Sequence, residues 1–374
     1  MALGGTARDT QTGRRRARSR TALAQLVVGV LAAAVLLGGI SAAALLPAER
    51  QITALGARTG FSPGAGIMLA DPDDMERELD AVVDSGAGWV RLDVDWSQVE
   101  DTRGSYEWSR VDRVVDAARD RDIEVLALLA YTPEWARPPG TSTHAPPEDP
   151  AQFAAFAEAA TERLRPRGVR TYEIWNEPNL PQFWEPRPDA AAYLPLLAAA
   201  SAAVHRAAPD ATVLSGGLAP ASDGGRNGQV DPRTFLRQLY ALGAAPLTDG
   251  VAVHPYSFPA TPLQSGTSEW NTFQKLPDLR ATMVEYGDGD GQLWLTELGA
   301  PTGSSSAAVD EELQAEIVAE AVTHAAGQEW AGPVFVYAIR DAGSDPDERE
   351  DNFGLLRRDF SPKVAFHRLR ELLG

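Results

Sequence analysis

The chain contains no cysteine among its 374 residues. Disulfides, thiolate metal sites and a cysteine nucleophile are therefore excluded. Histidine is also scarce, and its spacing does not place two imidazoles on one metal as i,i+4 or H-x-H patterns would. The five histidines are His144, His205, His254, His324 and His367. We therefore expect neither a catalytic metal nor a cofactor.

Positive charge is scarce beyond the first twenty residues. The formal net charge is -18, although residues 1–20 carry six arginines against one aspartate. Without that excess of five positive charges, the rest of the chain carries -23. An acidic surface of this kind repels nucleic acid and anionic polymers at long range. We therefore expect no nucleic-acid partner, and a neutral or cationic ligand.

Residues 21–46 lack charge and are rich in Ala, Val and Leu. A helix of this length crosses a hydrocarbon core of ~30 Å, and the arginines before it favour a cytoplasmic N-terminus. We expect a basic cytoplasmic segment at 1–20, a transmembrane anchor at 21–46, a linker at 47–60 and an extracytoplasmic domain at 61–374. A cleaved signal peptide is the alternative, since small residues occur at 41–44, although signal h-regions are usually only about 7–15 residues long.

Residues 61–374 alternate short apolar runs with amphipathic stretches, which is typical of βαβ units and a parallel sheet. The predicted strands are 64–69, 89–94, 125–130, 170–175, 212–216, 250–254, 292–296 and 333–339. Asp-Pro pairs at 71–72, 149–150 and 231–232 predict helix starts, and a last helix is predicted from 361–362 to the C-terminus.

Eight such pairs favour a closed (β/α)₈ TIM barrel, with its active site at the C-terminal ends of the strands. A doubly wound open sheet is the alternative fold. Such a sheet often carries a glycine-rich phosphate loop after its first strand, and neither G-x-G-x-x-G nor G-x-x-x-x-G-K-[ST] follows the first predicted strand here.

Two motifs lie at the ends of predicted strands. The fourth strand ends in W-N-E-P at 175–178, and the seventh ends in T-E-L-G at 296–299. Together they resemble the W-N-E-P and T-E-x-G motifs of glycoside hydrolase clan A, closest to family 39-like and cellulase family 5-like bacterial proteins. The resemblance covers nearly all of residues 61–374. It implies that Glu177 is the general acid/base, that Glu297 is the nucleophile and that Asn176 binds the sugar 2-hydroxyl.

Glycosidic cleavage explains why two carboxyl groups are needed. One must protonate the leaving oxygen, while a carboxylate about 5–5.5 Å away attacks the anomeric carbon. Strands four and seven lie across a barrel mouth from each other, which can bring Glu177 and Glu297 face to face. The acid then needs a raised pKa, and the nucleophile must stay ionised. A surface carboxylate and a helix-capping acid are the structural alternatives, and Glu173 is expected to be a barrel-interior residue with a charged partner.

Further site residues follow from the same resemblance. His254 and Tyr256 end the sixth predicted strand, where clan members often place groups that contact the nucleophile or the substrate. Arg91 matches an arginine on strand two whose charge would hold Glu297 ionised. A satisfied barrel histidine and a rim tyrosine are the alternatives for the first two. The alternative for Arg91 is a buried ion pair, for which the candidates are Asp93, Asp95 and Glu173.

Aromatic side chains commonly line carbohydrate clefts, because sugars present flat C–H faces. The candidates on the loops at the expected active-site face are Trp96, Tyr131, Trp135, Phe183, Trp184, Trp270 and Tyr337. Packing in the core or within a loop is the alternative for each. Strand eight departs from the clan pattern. Where many members have a tryptophan that forms the floor of the cleaved-sugar subsite, residues 336–341 read V-Y-A-I-R-D. The acidic loop at 341–354 is expected either to replace that floor or to cover it.

These features predict an extracytoplasmic, retaining O-glycosyl hydrolase that cleaves a poly- or oligosaccharide without a cofactor. A transglycosylase would share the covalent intermediate but pass it to a sugar. A catalytically silent carbohydrate-binding barrel is the other alternative. The sequence indicates neither the sugar nor the linkage.

If residues 21–46 form a retained anchor, the full-length protein should fractionate with membranes. Protease added to intact, wall-stripped cells should then digest the domain that follows. Immunoblotting of the fractions measures both. Recovery of a soluble mature protein that begins near Leu46 would reject the anchor in favour of a signal peptide.

Overall fold

Eight parallel strands close into a barrel in chain order in the computed structural model, and β1 pairs with both β2 and β8. The strands are β1 Thr59–Phe61, β2 Trp89–Asp95, β3 Glu124–Ala130, β4 Thr171–Asn176, β5 Thr212–Gly217, β6 Gly250–Val253, β7 Gln292–Leu298 and β8 Ala331–Val336. The predicted TIM barrel is confirmed, and the doubly wound alternative is wrong.

Helices connect successive strands. They are α1 Gly66–Leu69, α2 Pro72–Asp84, α3 Trp96–Val99, α4 Ser109–Arg119, α5 Pro150–Leu164, α6 Ala190–Ala207, α7 Pro232–Ala241, α8 Leu276–Glu285, α9 Glu311–Ala326 and α10 Val364–Leu373. Short 3-10 helices occur at Gly56–Arg58, Arg165–Arg167, Ala245–Leu247, Thr272–Lys275 and Arg349–Asn352.

The structure describes residue 1, residues 51–224 and residues 228–374. The predicted anchor or signal at 21–46 lies outside them, as do residues 2–20 of the predicted basic segment and residues 47–50 of the predicted linker. Within the described ranges, no helix is long and apolar enough to cross a membrane.

The predicted helix starts are confirmed at all three Asp-Pro pairs. Asp71, Asp149 and Asp231 each precede a helix whose first residue is proline, and each carboxylate accepts a backbone N–H from the first turn. The aspartate satisfies a donor that the helix leaves unpaired, and proline has no N–H to leave unpaired.

The first strand was predicted in the wrong place. Residues 66–69 of the predicted strand form helix α1, whereas β1 lies earlier, at Thr59–Phe61, within the predicted linker and at its boundary. A short apolar run does not distinguish a buried strand from a buried helical turn. All three residues of β1 are buried between β2 and β8.

The barrel interior has an apolar layer and a polar layer. Five strands contribute the buried cluster Leu126, Leu214, Ala252, Trp294 and Phe335, which packs against Trp89 at the start of β2. Arg91 lies two residues further along β2, on the same face of the strand. The polar layer that includes Arg91 and Glu173 therefore lies nearer the C-terminal ends of the strands.

Gly217 at the end of β5 is required by close packing. A Cβ atom added there would lie 2.2 Å from Nε2 of His254 and 3.0 Å from Oε1 of Glu173. Gly217→Ala should therefore lower the free energy of unfolding by about 1–3 kcal/mol, since overpacking a filled interior costs this much. Urea denaturation measures the loss.

Gly289→Ala is the matched control, because no atom lies within 4 Å of its added Cβ. Equal stability losses in the two variants would show that packing around Gly217 is not tight.

Candidate active site

The two motif glutamates meet at the mouth of the barrel. Glu177 directly follows β4, and Glu297 lies near the end of β7. One carboxylate oxygen of each and one ring nitrogen of His254 lie within 4.8 Å of one another. Both glutamates line a cleft of about 620 Å³. The fold thus brings together two carboxyl groups that are 120 residues apart in the chain.

Glu297 is surrounded by donors and positive charge. Its Oε1 accepts a hydrogen bond from Nη1 of Arg91 at 2.6 Å, and its Oε2 accepts one from the hydroxyl of Tyr256 at 2.9 Å. Nδ1 of His254 lies 3.7 Å from Oε2. Burial acts to raise the pKa of Glu297, but the charges of His254 and Arg91 and the hydrogen bonds outweigh it, so the pKa is lowered. Glu297 is therefore ionised at neutral pH.

Glu177 lies in the opposite electrostatic situation. Burial raises its pKa, and repulsion from Glu297 adds to this rise, although the hydrogen bond and charge of His254 act against it. Nδ1 of His254 lies 2.7 Å from Oε1 of Glu177. The pKa of His254 is also raised, because the charges of Glu297 and Glu177 outweigh the effect of its burial. Two neighbouring carboxyl groups thus have pKa values displaced in opposite directions, as an acid and a nucleophile require.

Arg91 connects this pair to the barrel interior. Its Nε and Nη2 donate to the two oxygens of Glu173 at 2.8 and 3.0 Å, and Nη2 also donates to Oδ1 of Asn176 at 2.9 Å. Nη1 donates to Ser62 at 3.3 Å as well as to Glu297. Both interpretations of Arg91 therefore hold at once, since it forms a buried ion pair with Glu173 and also contacts Glu297. Glu173 is an interior residue with a charged partner, as expected.

The W-N-E-P turn has an unusual backbone. Trp175 and Glu177 have φ angles of 73° and 45°, in the left-handed region that side chains other than glycine rarely adopt. The indole of Trp175 donates to the carbonyl of Phe183 at 2.7 Å, and the backbone N–H of Glu177 donates to the carbonyl of Gly217 at 3.1 Å. Surrounding contacts hold the strained turn in place, as is common at functional sites.

Asn179 is a site residue that the motif analysis missed. Its buried side chain donates to the carbonyls of Ala219 and Val230 and accepts the N–H of Ala219, each at 2.9 Å. These bonds fasten the turn that carries Glu177 to the loop after β5. The available signal was an asparagine directly after W-N-E-P, a residue type that can replace missing backbone hydrogen bonds in a turn.

The aromatic candidates divide into two groups. Tyr131, Tyr337, Phe183 and Trp270 line the cleft, and Trp270 is 45% exposed. Phe258 and Phe353 also line it, although neither was singled out from the sequence.

The other three tryptophans do not line the cleft, and their expected role in substrate binding is corrected. Trp96 is fully buried, stacks on Phe156 and donates to Glu100. Trp135 packs edge-on against Trp96 and donates to the backbone of Glu100. Trp184 is buried between Trp175 and Tyr193. Large rings with an apolar body are readily buried beneath loops, and for Trp96 and Trp135 the indole N–H finds an internal partner.

The loop at 341–354 reaches the site through Phe353. The rings of Tyr337 and Phe353 lie 5.2 Å apart, and Phe353 also packs edge-on against Tyr256 and Phe258. Arg349 and Glu350 of the same loop line the cleft as well. The loop therefore contributes to the wall of the cleft, beside the tyrosine that occupies the strand-eight position.

Glu177, His254 and Glu297 also have the spacing of a possible metal site. A cation there would have to break the bond between Glu177 and His254 and would lie beside the guanidinium of Arg91, which is bonded to Glu297. Like charges at this distance in a poorly solvated site repel strongly. The arrangement is better suited to proton transfer than to metal binding.

Comparisons with known proteins identify the family and the fold. The model of the family described as Cellulase (glycosyl hydrolase family 5) matches residues 60–331. No curated protein matches the chain. A family 39 glycoside hydrolase from the gut symbiont Bacteroides cellulosilyticus WH2 is similar over 86% of this chain, with 25% identity and a TM-score of 0.67. This chain spans only 64% of that protein.

Two further structures share the fold at lower identity. A monomeric beta-xylosidase from Caulobacter crescentus CB15 is 18% identical with a TM-score of 0.66, covering 85% of this chain and 68% of its own. A GH5_18 protein from Streptomyces cattleya, solved with GlcNAc, is 19% identical with a TM-score of 0.65, covering 84% and 80%. The resemblance to clan A, with family 39-like and family 5-like proteins, is confirmed.

The buried pair of Arg91 and Glu173 leads to a stability prediction. Glu173→Ala leaves the guanidinium buried without its bidentate partner, so the free energy of unfolding should fall by about 3–5 kcal/mol. Glu173→Gln keeps the shape and one acceptor and should lose less. Urea denaturation followed by circular dichroism measures both.

Glu158→Ala is the control, because Glu158 forms an ion pair with Arg206 at the surface. Its loss should be far smaller, since exposed pairs contribute little. Similar losses for Glu173→Ala and Glu158→Ala would contradict the importance of the buried pair.

Proposed function

Because the chain belongs to the cellulase family, glycosyl hydrolase family 5, we propose that it is a retaining O-glycosyl hydrolase that cleaves a poly- or oligosaccharide. The observation that carries this proposal is the pair of glutamates with opposite pKa displacements. Nearest carboxylate oxygens within 4.8 Å are close to the separation of about 5–5.5 Å of retaining enzymes. Inverting enzymes need about 6.5–9.5 Å, to leave room for a water molecule.

In the first step, the carboxylate of Glu297 attacks the anomeric carbon while Glu177 gives its proton to the glycosidic oxygen. The carbon–oxygen bond breaks, leaving a glycosyl ester on Glu297 and a free alcohol. In the second step, Glu177 takes a proton from water, and the water oxygen attacks the anomeric carbon. Glu297 leaves as a carboxylate, so both glutamates return to their starting states.

The electrostatics favour this change of role. Repulsion from ionised Glu297 is one cause of the raised pKa of Glu177. Ester formation removes that negative charge, so the pKa of Glu177 should fall once the intermediate exists. Glu177 has by then given its proton to the leaving alcohol, and the lower pKa keeps it ionised, so that it can accept a proton from water in the second step. Arg91 and Tyr256 meanwhile contact the oxygens of Glu297 and stabilise it as a leaving carboxylate.

The substrate and location are further parts of the proposal. An apolar segment at 21–46 after an arginine-rich start supports export, anchored or secreted. An exported glycosidase would meet cell-envelope or environmental polysaccharides. The aromatic lining of the cleft supports a carbohydrate ligand, because ring faces stack on sugar C–H faces.

Stereochemistry tests the proposal. The purified protein is screened on nitrophenyl glycosides and polysaccharides, and proton NMR follows the best substrate before mutarotation. The first product should keep the anomeric configuration of the substrate. Inversion would reject Glu297 as nucleophile, and sugar binding without turnover would favour the silent barrel. A product formed only when an acceptor sugar is added would instead identify a transglycosylase.

The pH dependence of kcat/KM should be bell-shaped. Protonation of Glu297 removes the nucleophile at low pH, and its lowered pKa moves that limb below the usual range of a glutamate. Ionisation of Glu177 removes the acid at high pH, and its raised pKa moves that limb upward. Glu177→Gln should abolish the alkaline limb and lower kcat/KM by about 10²–10⁴-fold for substrates with poor leaving groups.

Glu158→Gln, far from the cleft, should keep both limbs. An alkaline limb that persists unchanged in Glu177→Gln would show that another group is the acid.

A further inference from the structure

Asp93 is a carboxyl group in the cleft that the proposed mechanism does not use. It lies on β2, two residues beyond Arg91, and lines the same cleft as Glu177 and Glu297. Its Oδ1 is buried without a hydrogen-bond partner, and the Asp93 side chain forms no hydrogen bond or ion pair with any residue in the described ranges. A carboxylate left in this condition costs free energy. Consistently, burial raises the pKa of Asp93 to about 6.

The neighbouring arginine cannot supply the missing donor. A guanidinium has five N–H groups, and Arg91 makes five hydrogen bonds to other acceptors. Those acceptors are both oxygens of Glu173, Oγ of Ser62, Oδ1 of Asn176 and Oε1 of Glu297. Asp93 therefore feels the charge of Arg91 but receives no hydrogen bond from it. Its carboxylate therefore faces the cleft without a side-chain donor and can accept hydrogen bonds from a molecule bound there.

The position of Asp93 indicates which part of a substrate it meets. Its charge acts on the hydroxyls of Tyr131 and Tyr337, which also line the cleft. Arg91, two residues before Asp93 on β2, donates to Glu297 at 2.6 Å, and Glu297 is also among the main charges acting on Asp93. Glu297 contacts the anomeric carbon in the proposed reaction. A sugar unit attacked by Glu297 would therefore lie beside Asp93, which lines the same cleft.

Resting on the proposed function, we propose that Asp93 binds hydroxyl groups of the sugar unit attacked by Glu297 and disfavours a negatively charged sugar there. Two carboxylate oxygens can accept from two hydroxyl donors at once. A uronic acid would bring a further negative charge against Asp93 and Glu297 and would be repelled. A neutral sugar avoids that repulsion, and its hydroxyl groups give Asp93 the donors that the fold denies it.

The test measures how the loss of each sugar hydroxyl changes kcat/KM in wild type and in each variant. Wild type, Asp93→Ala and Asp93→Asn are assayed on the best neutral nitrophenyl glycoside and on its monodeoxy analogues. In wild type, at least one deoxy analogue should lose about 10²-fold or more in kcat/KM, because a buried charged acceptor is left unpaired. In Asp93→Ala the same analogue should lose little relative to the parent glycoside. The near-isosteric Asp93→Asn variant guards against misfolding of Asp93→Ala.

Asp95→Asn is the matched control. Asp95 lies on the same strand but caps α3 through Ser97, a role that asparagine can also fill. It should show the wild-type pattern of deoxy penalties. Equal penalties in wild type and both Asp93 variants would overturn the proposal. The proposal would also be overturned if the Asp93 variants lost kcat/KM equally on all substrates and the acidic limb of the pH profile shifted. That result would mean that Asp93 acts through Glu297. A wild-type preference for the matching uronide would overturn the selection against a negatively charged sugar.

Failure of the proposed function is distinguishable from failure of this inference. If no glycoside is cleaved, calorimetric titration with neutral oligosaccharides replaces the assay. Binding that Asp93→Asn weakens and Asp95→Asn preserves would support the role of Asp93 in a non-catalytic barrel. Unchanged binding in Asp93→Asn, or no binding to wild type, would overturn it.

Discussion

The site depends on the hydrogen bonds and ion pairs that the guanidinium of Arg91 makes. It bonds the interior carboxylate Glu173, the motif residue Asn176 and the oxygen of Glu297 that faces it. These partners come from β4 and β7, so a single side chain on β2 fixes the mutual positions of three strands. Its charge also lowers the pKa of Glu297, although burial works in the opposite direction. Because its donors are fully used, Asp93 is left available for a ligand.

Burying several carboxyl groups in one barrel is costly, and the structure offsets this cost locally. Glu173 accepts three hydrogen bonds, two from Arg91 and one from the backbone of Gly217. Glu297 has Arg91 and Tyr256, and Glu177 has His254. The groups differ mainly in how much positive charge lies beside them. That difference, and not exposure, separates the pKa values of Glu177 and Glu297.

The sequence allowed the barrel and the proximity of the two motif glutamates to be predicted, because strand periodicity and motifs are local. The ends of β4 and β7 carried recognisable motifs, and Asp-Pro pairs marked helix starts. Contacts between side chains on different strands and loops could not be predicted. Nothing local distinguishes Trp96, which is buried, from Trp270, which lines the cleft, and nothing local indicates that Arg91 leaves Asp93 without a donor. The short β1 was misplaced because its three residues are strand only through pairing with β2 and β8.

The central claim is that Glu297 is the nucleophile that Arg91 holds ionised. The most direct measurement is mass spectrometry of the protein after reaction with a 2-deoxy-2-fluoro glycoside that has a good leaving group, since the fluorine slows release of the intermediate. The account predicts a mass increase of one fluorosugar, located by peptide sequencing on Glu297 and lost in Glu297→Gln. A label on Glu177, or the same labelling in Glu297→Gln as in wild type, would contradict it.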